Sequence, residues 1–154
     1  DVLRKALKAA PNQWKIRLAI AQALEALVQS DEAEKELQTT YAMCGVCDPR
    51  PGTAYGLFLI RQGRFRDAAA PLERVVAKFP GAADAQTHLG RVRLELGDAQ
   101  AAAASLEKAV ALDPASPQAH LLLAKAYARL GRPAEAKPHF EAAAQLGDGS
   151  RAAR

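Results

Sequence analysis

Large side chains are scarce in this sequence: one tryptophan, one methionine, three tyrosines and four phenylalanines in 154 residues leave aromatics at 5%. A core of bulky residues is therefore excluded. The 49% apolar fraction is carried by 36 alanines, which suit closely packed helices in one domain. Long hydrophobic runs are lacking as well. No stretch approaches the ~18 apolar residues of a membrane span, and no basic-then-apolar signal segment opens the chain, so no membrane partner is expected. The compartment stays open, with the cytoplasm favoured. No phosphate loop, serine nucleophile motif or carboxylate pair stands out, so the sequence assigns no catalytic residue, calls for no cofactor and points away from an enzyme.

What is present is repetition. Residues 83–116, ADAQTHLGRVRLELGDAQAAAASLEKAVALDPAS, carry Leu89-Gly90, then Ala102, Leu106 and Ala109, and finally Pro114. Shifted by 34 residues, the frame reads Leu123-Ala124, Tyr127, Ala136, Phe140 and Ala143; shifted back, it reads Tyr55-Gly56, Leu59, Ala68, Leu72, Val75 and Pro80. Small residues at fixed places in two helices let the backbones approach closely, while neighbouring Leu and Phe fill the gaps. Gly63, Gly97 and Gly131 supply left-handed helix ends, and Asp98 or Pro133 starts the helix that follows.

The pattern, order and period resemble the tetratricopeptide repeat, a helix-turn-helix unit stacked into a solenoid. The expected fold is all-α, a right-handed superhelical solenoid of antiparallel helix pairs. Its repeats are placed at 14–47 (a degenerate copy), 49–82, 83–116 and 117–150. Residues 1–11 look like the second helix of a preceding repeat, which implies a chain cut from a larger, bacterial protein. Residues 151–154 are expected to fray, as is the whole stretch after Leu146.

Three departures stand out. The first repeat has Val28 where the others have glycine, although Ser30 and Asp31 are good cap residues for a helix starting near Asp31. Residues 39–52, TTYAMCGVCDPRPG, hold one residue too many for the frame and are read as a loop that interrupts the stacking. Pro71 and Pro138 sit about a turn and a half inside second helices, where proline costs ~3 kcal/mol in an ideal helix, so a kink or a late helix start is expected.

The resemblance implies a protein-binding scaffold whose first helices line a concave groove. Carried over residue by residue, the groove takes Lys15, Leu18, Gln22 and Glu25; then Arg50, Thr53, Leu57, Ile60 and Arg61. It continues with Asp84, Thr87, Arg91, Leu94 and Glu95, and ends with Gln118, Leu121, Lys125, Ala128 and Arg129. Leu57, Ile60, Leu94 and Leu121 are expected to form an apolar floor, with Arg61, Arg91, Lys125 and Arg129 as cationic edges beside Arg50 and Glu95. Such a groove suits a peptide or partner domain of acidic and apolar character, each desolvated charged contact adding ~1.5–3 kcal/mol. The lysine-asparagine clamp with which chaperone-binding members grip a terminal carboxylate is absent: those places read Leu18, Gln22, Ala54, Asp84 and His88, or, one repeat on, Thr53, Leu57, His88, Gln118 and Leu122.

Cys44 and Cys47 form a CxxC, read mainly as reduced loop thiols, with a disulfide or a metal or redox pair as alternatives. Zinc needs four ligands and the chain has no third cysteine. His88 and His120 fall on first helices of neighbouring repeats, where a contact between them is allowed. Between Arg50 and Arg93 eight basic residues face three acidic ones. That excess favours acidic partners in the middle of the solenoid. The sequence pI of about 9.3 prompts nucleic-acid binding through these basic repeats as an alternative function, against which the lack of interleaved aromatics argues. A homodimer through residues 1–11 is the other alternative.

Overall fold

The computed structural model describes Lys5 and residues 13–152, with side chains as far as Asp148. The helix read into residues 1–11 and the dimer contact built on it therefore lie outside the described residues, Lys5 apart. Eight helices follow in order among residues 13–152: α1 Trp14–Ala26, α2 Ser30–Cys44, α3 Pro49–Arg61, α4 Phe65–Lys78, α5 Ala83–Glu95, α6 Ala99–Leu112, α7 Pro117–Arg129 and α8 Pro133–Ala152. Each packs on its neighbours in sequence. The first helices of successive pairs also touch, α3 on α5 and α5 on α7, and so build a continuous inner layer. Contact between α1 and α3 is slighter, and the difference positions the site described below.

Helical spacing places the core. In α5 Ala85, Leu89 and Val92 are buried, and in α6 Ala102, Leu106 and Ala109, each set at positions i, i+4 and i+7. The small residues sit where the helices cross. A Cβ on Gly56 would stand 2.5 Å from Leu72 Cγ, and one on Gly90 2.4 Å from Leu106 Cγ. Both leucines are fully buried, so neither has free space to retreat into.

All four turns within the pairs close in the same way. The residue after the left-handed position donates its N–H back across the turn: Gln29 to Leu24, Arg64 to Leu59, Asp98 to Arg93 and Arg132 to Tyr127, at 2.9–3.0 Å. Gly63, Gly97 and Gly131 take φ of +72°, +88° and +70°. Val28 is held at φ +61° in the first turn. The missing glycine thus changes the strain of that turn without changing its geometry.

Several expectations are corrected. Ser30 is the first residue of α2 and does not cap it; Gln29 holds the cap position and makes no side-chain bond there. Asp98 and Ser116 do cap their helices, accepting from the N–H groups of Ala101 and Ala119. The loop read across residues 39–52 shrinks to residues 45–48, because α2 runs on to Cys44 and α3 begins with Pro49 at its first turn, capped by Asp48. Neither interior proline delays its helix: α4 starts at Phe65 and α8 at Pro133, with Pro71 and Pro138 inside them. α8 runs past Leu146 to Ala152.

Candidate functional site

The slighter contact between α1 and α3, bridged by side chains at Glu25–Arg61 and Trp14–Arg50, leaves a trough on the inner layer. One cavity of about 370 Å³ is bordered by Leu18 and Gln22 of α1, Arg50 and Leu57 of α3, and Asp84 and His88 of α5. A second, of about 570 Å³, continues it between Glu25 and Arg61; the two share Gln22, Ala54 and Leu57. Cavities of this size hold a few side chains, with apolar walls and a small number of polar groups.

The predicted groove residues do not all reach this surface. Ile60 and Leu94, read as floor, are only 2% and 3% exposed and belong to the core; their positions turn towards the second helices. Leu57 stays half-buried in the trough and Leu121 is exposed on α7.

The cations also divide. Arg61 pairs with Glu25 across the trough at 3.0 Å. Arg50 is held by both oxygens of Asp48 at 2.8 Å, and that guanidinium keeps the Asp48 carboxyl below its ordinary range. Arg129 donates to the Leu94 carbonyl. Arg91 and Lys125 form no ion pair among the described residues, and the exposed Glu95 lies on the same helix as Arg91.

The basic excess of residues 50–93 proves smaller in space than in sequence. Its arginines are matched by carboxylates from earlier in the chain: Glu25 for Arg61, Glu34 for Arg64 and Asp48 for Arg50. Arg64 also takes Asp67 at 2.8 Å, and Arg93 meets Glu73 at 3.7 Å.

His88 closes one end of the first cavity. It is 9% exposed, and its buried Nδ1 has no hydrogen-bond partner among the described residues. Burial pushes its pKa down, Asp84 opposes this, and Arg91 and Arg61 add to it. The ring is therefore neutral at pH 7.

His88 does not pair with His120. His120 Nδ1 instead faces His139 Nδ1 at 2.9 Å, and its Nε2 faces the Pro114 carbonyl at 3.0 Å. Beside this pair, Tyr127 donates to Glu107 at 2.8 Å, and burial pushes the phenol up to about 12. Sequence reasoning missed the histidine pair because the two belong to different helices of one repeat. The signal available was the frame itself, which sets α7 against α8.

The structure joins Cys44 and Cys47 in a disulfide, with the Cα atoms 5.0 Å apart. The favoured reading of reduced loop thiols gives way to one of its alternatives, since the short turn at residues 45–48 holds both cysteines at bridging distance. Among the described residues there is no cluster of three or more metal-ligating side chains and no helix long and apolar enough to cross a membrane.

Comparison with known proteins follows the same lines. The sequence profile described as tetratricopeptide repeat matches residues 56–117 and again 88–151, together more than half of the chain and excluding the pair that contains Val28. No curated protein matches the sequence. Among solved structures, the crystal structure of MamA superposes with a TM-score of 0.80 at 22% identity, covering 97% of this chain and 86% of that one. Pseudomonas aeruginosa PilF superposes with a TM-score of 0.84 at 24% identity; the match covers 94% of this chain and 65% of that one. A MamA double mutant gives 0.81 at 22% identity, covering 96% and 83%. These likenesses establish an all-α, right-handed superhelical solenoid of antiparallel helix pairs.

Proposed function

The chain belongs to the tetratricopeptide repeat family, whose members are scaffolds for protein–protein interaction, and from that premise we propose that it holds a segment of another protein along the inner layer of first helices. The observation that carries this reading is the trough between α1 and α3, floored by Leu18, Ala54 and Leu57. Apolar side chains of the partner occupy the trough. Its carboxylates meet Arg91 and Lys125, which form no ion pair among the described residues. The cations expected at the edge narrow to these two, because Arg50, Arg61 and Arg129 are already engaged. Within a larger protein, this module tethers or regulates.

The test compares partner capture from a lysate of the source cells by the full chain, by Arg91→Glu with Lys125→Glu, by Leu57→Lys, and by Lys108→Glu on the outer layer as a control. Circular dichroism verifies that each is folded. Both groove variants should lose at least about tenfold of the captured protein, the equivalent of ~1.4 kcal/mol, and the control should lose none. Equal capture by all four would refute the reading.

A further inference from the structure

The four residues that join α2 to α3 carry more chemistry than a connection needs. Cys44 ends α2 at 2% exposure, whereas Cys47 is exposed, and the two are bridged. Between them the turn is tight: a Cβ on Gly45 would stand 2.7 Å from the Tyr41 ring. Met43 and Val46, next to the two cysteines in sequence, are both exposed and apolar. Asp48 follows directly. It accepts the Arg50 N–H at 2.9 Å, which caps α3, and it holds the Arg50 guanidinium. That guanidinium lies 5.0 Å from the Trp14 ring on α1, and Arg50 borders the first cavity. Arg50, on the wall of the trough, thus lies three residues beyond Cys47.

We propose that the Cys44–Cys47 disulfide is a thiol-exchange site, opened by a protein dithiol, whose state sets the mouth of the cavity between α1 and α3. The partner's thiolate attacks the exposed Cys47 sulfur. The bond to Cys44 breaks, Cys44 leaves and takes up a proton, and a mixed disulfide forms on Cys47. The partner's second thiolate then displaces Cys47, which is protonated in turn. The chain gains two electrons and two protons, and the partner ends as its own disulfide.

Cys44 is buried and Cys47 exposed, so attack falls on Cys47 and Cys44 is the sulfur that leaves. Met43 and Val46 form the surface on which the dithiol partner rests. Opening the bridge frees residues 45–47 and, through Asp48, the placement of Arg50 against Trp14. Its consequence for partner binding rests on the groove reading above; the exchange itself does not.

The experiment counts reactive thiols with a maleimide in the full chain, first equilibrated with oxidised glutathione and then treated with dithiothreitol. Emission from Trp14, the one tryptophan of the sequence, reports on the trough wall. The expected result is no reactive thiol before reduction and two after, with a red-shifted Trp14 emission that reverses on reoxidation. Cys47→Ser, at an exposed position that does not disturb the core, should show the reduced form's emission and ignore dithiothreitol. Two reactive thiols after oxidation would overturn the proposal. So would an unchanged Trp14 emission in the reduced chain and in Cys47→Ser, which would make the bridge a static staple. Either failure leaves capture by Arg91 and Lys125 standing, and loss of that capture leaves the thiol counts standing.

Discussion

Replacing Val28 by glycine should stabilise the protein. Val28 occupies the left-handed region at φ +61°, and its side chain is 84% exposed, so removing it forfeits almost no buried surface. The left-handed conformation costs an L-residue with a Cβ about 1–2 kcal/mol, and a β-branched side chain belongs at the upper end of that range. Glycine removes the penalty but adds unfolded-state freedom worth roughly 0.5–1 kcal/mol. The net gain is about 1–1.5 kcal/mol, which should raise Tm by ~2–6 °C for a chain of this size. Gly97→Val is the reciprocal test. A Cβ there meets nothing within 4 Å at φ +88°, so any loss comes from the backbone alone and should be of similar size with opposite sign. Urea unfolding followed by far-ultraviolet circular dichroism measures both. A Val28→Gly chain no more stable than the parent, or a Gly97→Val chain that loses nothing, would refute the account of these turns.

Three further outcomes follow from the packing and the charges. Gly90→Ala should cost about 1–3 kcal/mol, since its Cβ would stand 2.4 Å from Leu106 Cγ, and Leu106→Val should recover part of the loss; a double-mutant cycle in urea measures the coupling. Asp98→Ala removes the carboxylate that accepts the Ala101 N–H and should cost ~1 kcal/mol, whereas Ser30→Ala, which removes no cap, should cost little. Burial lowers the pKa of both His88 and His139 from 6.5, and the neighbouring His120 lowers that of His139 further. The unfolded chain therefore binds more protons than the folded one as pH falls below about 6.5. The stability held by the neutral rings is fully present above that pH and is lost as pH falls towards the folded-state values. Denaturation at pH 7.5 and pH 5 in matched salt should show the decline, and replacing both histidines with asparagine should flatten it.

The degree to which function was legible follows from how local each cause is. Gly63, Gly97 and Gly131 announced their turns because a left-handed backbone needs glycine wherever the chain folds back. Val28 stands where the other turns have glycine, and the helix after it starts near Asp31 as expected, because the Gln29 N–H bonded back to the Leu24 carbonyl imposes the same turn. The groove was legible as a set of helices but not as a surface. Ile60 and Arg61 are adjacent in sequence, yet one is core and the other bridges to Glu25.

By itself, the sequence determined the period, the close crossings at Gly56 and Gly90, and the helix pairs with their turns, because these depend on backbone sterics and spacing that recur every 34 residues. Only the tertiary structure decided which cations remain unpaired, that His120 meets His139, that Cys44 and Cys47 are bridged, and that α1 stands off α3 to open a trough. Those outcomes turn on distances of a few ångströms between side chains of different helices, and a repeat pattern specifies which helices are neighbours without specifying how far apart their side chains lie.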